Sequence, residues 1–165
     1  MDAEHDVRWL VQRLREEGDL RPPYRLKRER KWVAEATALR DDEGRILAYT
    51  ERRKHLFATE ITTVVVDPAH RGKGLSHDLI RAAVSANQDR PLILFTRSEA
   101  LERAVARLGF VQRHPPNPLT LLSVGVRALL RCLRMISIGD LRKCWTQVAH
   151  LRAFRCWVLT DDSAD

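Results

Sequence analysis

Between residues 61 and 80 the chain runs ITTVVVDPAHRGKGLSHDLI, and its densest chemistry lies in the consecutive residues Arg71, Gly72, Lys73, Gly74, Leu75 and Ser76. Glycine lets a backbone approach a ligand closely, and the residues just ahead of a helix carry amides with no intrahelical partner. Leu75, Leu79, Ile80 and Val84 recur at helical spacing, so the two glycines fall where a helix begins. Free amides at the positive end of a helix favour a phosphate or pyrophosphate, and Arg71 and Lys73 add full charges beside them. Upstream, the Val- and Thr-rich run from Ile61 to Val66 predicts a buried strand, which Pro68 stops by removing a backbone donor. Strand, basic glycine loop and helix together form an anion cradle.

Two phosphate-binding loops do not fit. A P-loop needs a glycine five residues before the Gly-Lys pair and Ser or Thr after it, where this chain has Asp67 and Gly74. A dinucleotide fingerprint needs glycine three residues after Gly74, where His77 stands. The spacing that remains, Arg71, two residues, Gly74, one residue, Ser76, resembles the Arg/Gln-x-x-Gly-x-Gly/Ala loop of the GNAT acyl-CoA N-acyltransferases, with Ser76 in place of Gly or Ala. Residues 91–113 look like a second region of that family: a strand, a helix capped by Ser98 where Asn is usual, and the ending Leu108, Gly109, Phe110. Val105 stands where many members carry the tyrosine that protonates the leaving thiolate, and in an amphipathic helix it reads as a core residue. A looser similarity links residues 94–110 to the N-acetylglutamate synthase acetyltransferase domain.

The resemblance implies a α/β fold with a mixed, mostly antiparallel sheet flanked by helices, and acetyl-CoA as cosubstrate without a metal. It implies that the amides from Arg71 to Ser76 hold the pyrophosphate while the backbone of Val64, Val65 and Val66 pairs with the pantetheine arm. An ammonium has no lone pair, so an amine acceptor must lose a proton before attack. Glu60 is the implied base, because some members place a glutamate at the start of this strand. The general acid is left to water, Ser98, Tyr24 or Tyr49. His70 and His77 flank the loop as donors to phosphate or solvent rather than catalysts.

The elements that must position these groups are legible to different degrees. Asp2 is a candidate cap for a helix over 3–17, with Val7, Leu10, Val11 and Leu14 on one face. Residues 21–31 read as a basic loop whose Lys27, Arg28, Arg30 and Lys31 meet the 3′-phosphate of CoA, an acidic partner or solvent. Residues 32–40 and 45–53 alternate as a hairpin around the turn DDEG. The order lacks the usual first strand of the resembled fold. Residues 119–135 form an apolar helix that nevertheless carries Arg127, Arg131 and Arg134, followed by a SIGD break, a second helix over 140–150 and a closing strand over 154–160. This two-helix insertion before the last strand is expected to serve as a lid, a homodimer surface or plain packing, with Trp145 and Trp157 fixing it to the sheet.

The 165 residues, 44% hydrophobic and 31% charged, suit one soluble domain. Its expected parts are an N-terminal helix and basic loop (1–31), an acetyl-CoA-binding core (32–113), and the insertion with closing strand (114–165). No apolar run approaches 18 residues, which predicts no membrane span and a cytoplasmic protein. Cys132, Cys144 and Cys156, without a CxxC pair, read as buried thiols rather than a disulfide or metal set. Residues 119–157 hold seven Lys or Arg against one acid, so much of the net charge of +7 sits there. Besides acetyl transfer to an amine, that bias leaves open a nucleic-acid-directed protein, such as an aminoacyl-tRNA acetyltransferase, and a non-catalytic CoA-binding module.

Overall fold

The structure, a computed structural model, describes residues 3–115, 117–150 and 153–160. Asp2, the candidate helix cap, lies outside the described residues. Two helices, α1 (Ala3–Glu16) and α2 (Leu26–Glu35), precede the strands β1 (Thr37–Arg40), β2 (Ile46–Lys54) and β3 (Thr59–Val66). Then come α3 (Leu75–Ser85), β4 (Leu92–Thr96), α4 (Glu99–Ala106), β5 (Val111–Gln112), α5 (Pro118–Ser137), α6 (Leu141–Ala149) and β6 (Arg155–Leu159). They form one six-stranded sheet in the order β1-β2-β3-β4-β6-β5, in which only β3 and β4 are parallel.

The segment expected as a loop over 21–31 and a strand from residue 32 is largely helix, and β1 starts only at Thr37. LKRERKWVAE is made mostly of good helix formers. Its one inward acid, Glu29, is fully buried and takes two hydrogen bonds of 2.7 Å from the Arg21 guanidinium. Arg21 also bonds Glu51 of β2, so a buried cation sits between two carboxylates. Burial works against its charge, but the bonds to Glu29 and Glu51 outweigh that and hold the guanidinium above its ordinary pKa. The DDEG turn forms as expected, with the Asp41 side chain accepting from the amides of Glu43 and Arg45 and Gly44 at φ +81°.

Side chains alternate between two layers. Leu92 and Leu94 of β4 join Ile61, Ile80, Ala83 and Val105 beneath α3 and α4. Ile93 turns the other way, to Ala58, Val158 and Val124 of α5. Helices α1 and α2 cover β1 and β2 through Leu10, Leu14, Ile46 and Tyr49. The inserted pair crosses this second layer: Lys143 Nζ of α6 donates to the Leu14 carbonyl, and Gln147 donates to those of Gly18 and Leu20. Trp157 packs against the α3/α4 core, but Trp145 is 76% exposed and fixes nothing to the sheet. The three cysteines are free and half-buried, less enclosed than expected. Among the described residues no helix is long and apolar enough to cross a membrane.

Candidate active site

Strand β3 organises the site by breaking its own regularity. Tyr49 pairs with Val65 and Glu51 with Thr62, so β3 carries one residue more than β2 over that span. The extra residue places Thr63 at φ +55°, a left-handed conformation that for a β-branched side chain costs on the order of 1–3 kcal/mol. Its hydroxyl donates to Glu51 at 3.1 Å, and the Thr50 hydroxyl donates to the Thr62 carbonyl at 2.9 Å. Ile61 and Val64, three apart, therefore face the α3/α4 core together, while Thr62 and Thr63 both line the opposite side. Parallel pairing with β4 ends at Ile61 opposite Leu94. Beyond it the strands diverge, and Val64, Val65 and Val66 keep a backbone edge that β4 does not take.

The glycine loop closes the wide end of this opening. After a short 3-10 turn over Pro68–His70, Gly72 and Gly74 adopt φ +80° and +81°, which few other residues accept. A Cβ placed on either would meet nothing within 4 Å, so the outer face of the loop is open to a bound group. The first backbone bonds of α3 run from the amides of His77 and Asp78 to the Gly74 carbonyl, and among the described residues the amides of Gly72 to Ser76 find no acceptor. These residues fit a pyrophosphate. Arg71 is less free than expected, since its guanidinium pairs with Glu17 and reaches the Val66 carbonyl, whereas Lys73 is exposed. Ser98 occupies the N-cap position of α4 without a side-chain cap, its amide donating instead to Thr96 Oγ1 at 3.0 Å.

Glu60 lies at the narrow end of the opening. One carboxylate oxygen is 3.0 Å from Nε2 of His55, and Nδ1 of that ring is 2.8 Å from Ser123 Oγ of α5. The His55 side chain is completely buried. A neutral imidazole protonated at Nε2 satisfies the whole chain, donating to Glu60 while accepting from the serine hydroxyl. Neither His55 nor Ser123 was singled out by the sequence, although a hairpin joining β2 to β3 necessarily sets residue 55 near residue 60. Val105 is wholly buried in the α3/α4 core, as its helical position predicts. Tyr49 is also fully buried, and burial together with the neighbouring Glu51 pushes its phenol far above the ordinary pKa. Tyr24 stands instead at the wall of a cavity.

That cavity, about 570 Å³, lies between α2, β2 and α5, and seven of its thirteen lining residues are Arg or Lys. Arg28, expected as a CoA or solvent contact, sits here and stacks on Tyr24 and Trp32 at 4.2 and 4.5 Å. Arg127, Arg131 and Arg134 arrive from one face of α5 by their spacing of four and three. A smaller recess of about 30 Å³ continues from the cavity to Glu60, Thr62 and Thr63. Among the described residues no group of three or more His, Cys, Asp or Glu could hold a metal.

A sequence model of the family described as "Acetyltransferase (GNAT) family" matches residues 4–110. No curated protein matches at a significant level. Among solved structures, Rv2747 from Mycobacterium tuberculosis, in complex with CoA and NLQ, is 19% identical with a TM-score of 0.64, covering 96% of this chain and 95% of that one. A chimera of spermidine N-acetyltransferase SpeG from Vibrio cholerae and hSSAT is 17% identical with a TM-score of 0.51, covering 68% and 79%. A GNAT-family acetyltransferase, described as putative, from Xanthomonas campestris is 26% identical with a TM-score of 0.50, covering 66% and 79%. The likeness to the first two is one of fold.

Proposed function

The chain belongs to the GNAT acetyltransferase family, and on that premise we propose that it transfers an acetyl group from acetyl-CoA to a primary amine by direct attack in a ternary complex. The observation that carries this reading is the opening beside β3, which has a glycine loop with unpaired amides at one end and a glutamate at the other. The amides from Gly72 to Ser76 take the pyrophosphate, and the free edge of Val64 to Val66 aligns the pantetheine arm. Glu60, held through one oxygen by His55, keeps its other oxygen for the ammonium proton of the acceptor. The amine lone pair attacks the thioester carbon, the nitrogen gives up its second proton to water, the C–S bond breaks, and the thiolate leaves with a proton from water or from Tyr24. Thiolates leave readily because their pKa is low, about 8.5. Val105, apolar and buried in the core, offers no proton from the position where the resembled family often carries a tyrosine.

We propose further that a second copy of the chain covers α5. Leu119, Leu122, Val126, Leu129, Leu133 and Ile136 are all exposed, and their spacing of three and four is that of a helix-pairing seam. The arginines of the same helix turn inward, so the outer face suits a helix better than a nucleic-acid groove. Calorimetry with acetyl-CoA and desulfo-CoA, followed by thiol release in the presence of amines, tests the transferase reading. Saturable binding of both with amine-dependent release is expected. Binding without release for any amine would reduce the protein to a CoA-binding module. Sedimentation should show a dimer that Leu129→Glu converts to monomer.

A further inference from the structure

Resting on the transferase reading, we infer that the acceptor amine also carries a carboxylate, received by the guanidinium of Arg131 with Arg53 and Arg127 beside it, while Glu60 faces the amine. These three arginines line both the large cavity and the small recess that ends at Glu60, so they stand at the passage between the two. The recess admits about one water-sized group, which suits a terminal amine, and the remainder of an acceptor must lie among the cations outside it.

The acids of this region are already committed. Glu51 holds Arg21, Thr63 and, at 3.5 Å, Arg53; Glu35 lies 3.9 Å from Lys31, and Glu60 bonds His55. Other cations also have occupations: Arg28 stacks on aromatic rings, Lys54 pairs with Asp89, Arg52 reaches the carbonyls of Glu35 and Ala86, Arg53 stacks on Trp32 and Arg127 donates to the Lys54 carbonyl, which leaves these last two as flanking charges rather than the receiving group. Arg131 is different. Burial depresses its guanidinium below the ordinary arginine pKa, and the charge of Glu60 offsets that only through space. Among the described residues no carboxylate forms an ion pair with Arg131; a half-buried cation left so is unfavourable until an anion enters, and a guanidinium fork matches a carboxylate in two parallel bonds. The same concentration of positive charge repels a polyamine. Recognition at both ends, guanidinium for the carboxylate and glutamate for the ammonium, fits an amino acid in its zwitterionic form.

The test uses amino acids of two to six carbons, each paired with its carboxamide, together with spermidine. Binding to the CoA-saturated protein is measured by calorimetry and turnover by thiol release. The expected result is a carboxylate preference of about 100-fold over the matched amide in at least one pair, with spermidine inert. Arg131→Met should erase that preference while acetyl-CoA affinity is unchanged and Tm is equal or higher, since an apolar replacement removes the buried charge. Arg131→Lys should retain a weakened preference. Amides or spermidine used as well as amino acids, or an unaltered preference in folded Arg131→Met, would overturn the inference and leave acetyl transfer standing. Selective carboxylate binding with no turnover of any amine would do the opposite, keeping the anion site and removing the transferase reading.

Discussion

The glycine loop and the arginine-lined cavity are both attached to β3, yet they are made from different parts of the polypeptide. The loop is a stretch of backbone: its binding groups are amides, its shape comes from two glycines at positive φ, and six consecutive residues contain it. The cavity is made of side chains from α2, β2 and α5, brought together across more than a hundred positions of sequence. A site built from amides tolerates exchange of its side chains but not of its backbone conformation. A site built from guanidiniums has the reverse sensitivity, and this difference suits a region that holds one common cosubstrate beside another that selects an acceptor.

Substitutions can break this contrast or sharpen it. The largest effect is expected from Gly74→Glu, which imposes a side chain at φ +81° and sets a negative charge against the pyrophosphate; calorimetry should detect no acetyl-CoA binding. Unchanged affinity would mean that the loop is only a turn. Glu60→Gln should lower kcat by about 100-fold at neutral pH with CoA affinity preserved, and full turnover would transfer proton removal to water. Arg21→Ala leaves Glu29 and Glu51 buried without their cation and is expected to cost about 3–5 kcal/mol in urea unfolding. Ser123→Ala removes one hydrogen bond behind His55, worth about 1 kcal/mol, and should reduce kcat roughly fivefold without altering CoA binding. Smallest of all is Lys73→Ala, whose exposed charge should change CoA affinity by only about twofold, and by nothing measurable in high salt. A large Lys73 effect would show that side chains, not amides, hold the anion.

The same contrast explains what could be read in advance. The strand β3, the loop, α3 and the β4–α4 unit declare themselves locally, because glycine spacing, helical periodicity and Val-rich runs each act within a few residues. Helix α2 did not, since the alternation in residues 32–40 mimics a strand and the reason for helix, a buried Glu29, depends on Arg21 and on Glu51 of a distant strand. His55 looks like any hairpin histidine until Ser123, 68 positions later, covers it. Arg127, Arg131 and Arg134 were visible as an anomaly in an apolar helix, but only the tertiary arrangement turns them toward β2 and leaves the leucines outside.

The place of β6 in the sheet has a consequence for how the molecule is made. This strand is the last of the described elements, yet it lies between β4 and β5, with Trp157 paired to Leu94 on one side and Gln112 on the other. During synthesis β4 therefore waits with a bare edge through the whole of α5 and α6, and the two-residue β5 has no neighbour to join. An unpaired edge of that kind recruits other chains. Premature termination between Gln112 and Arg155 would release a polypeptide with the glycine loop intact and the sheet unfinished, a species that quality-control proteases and chaperones can tell from the finished protein by its exposed edge.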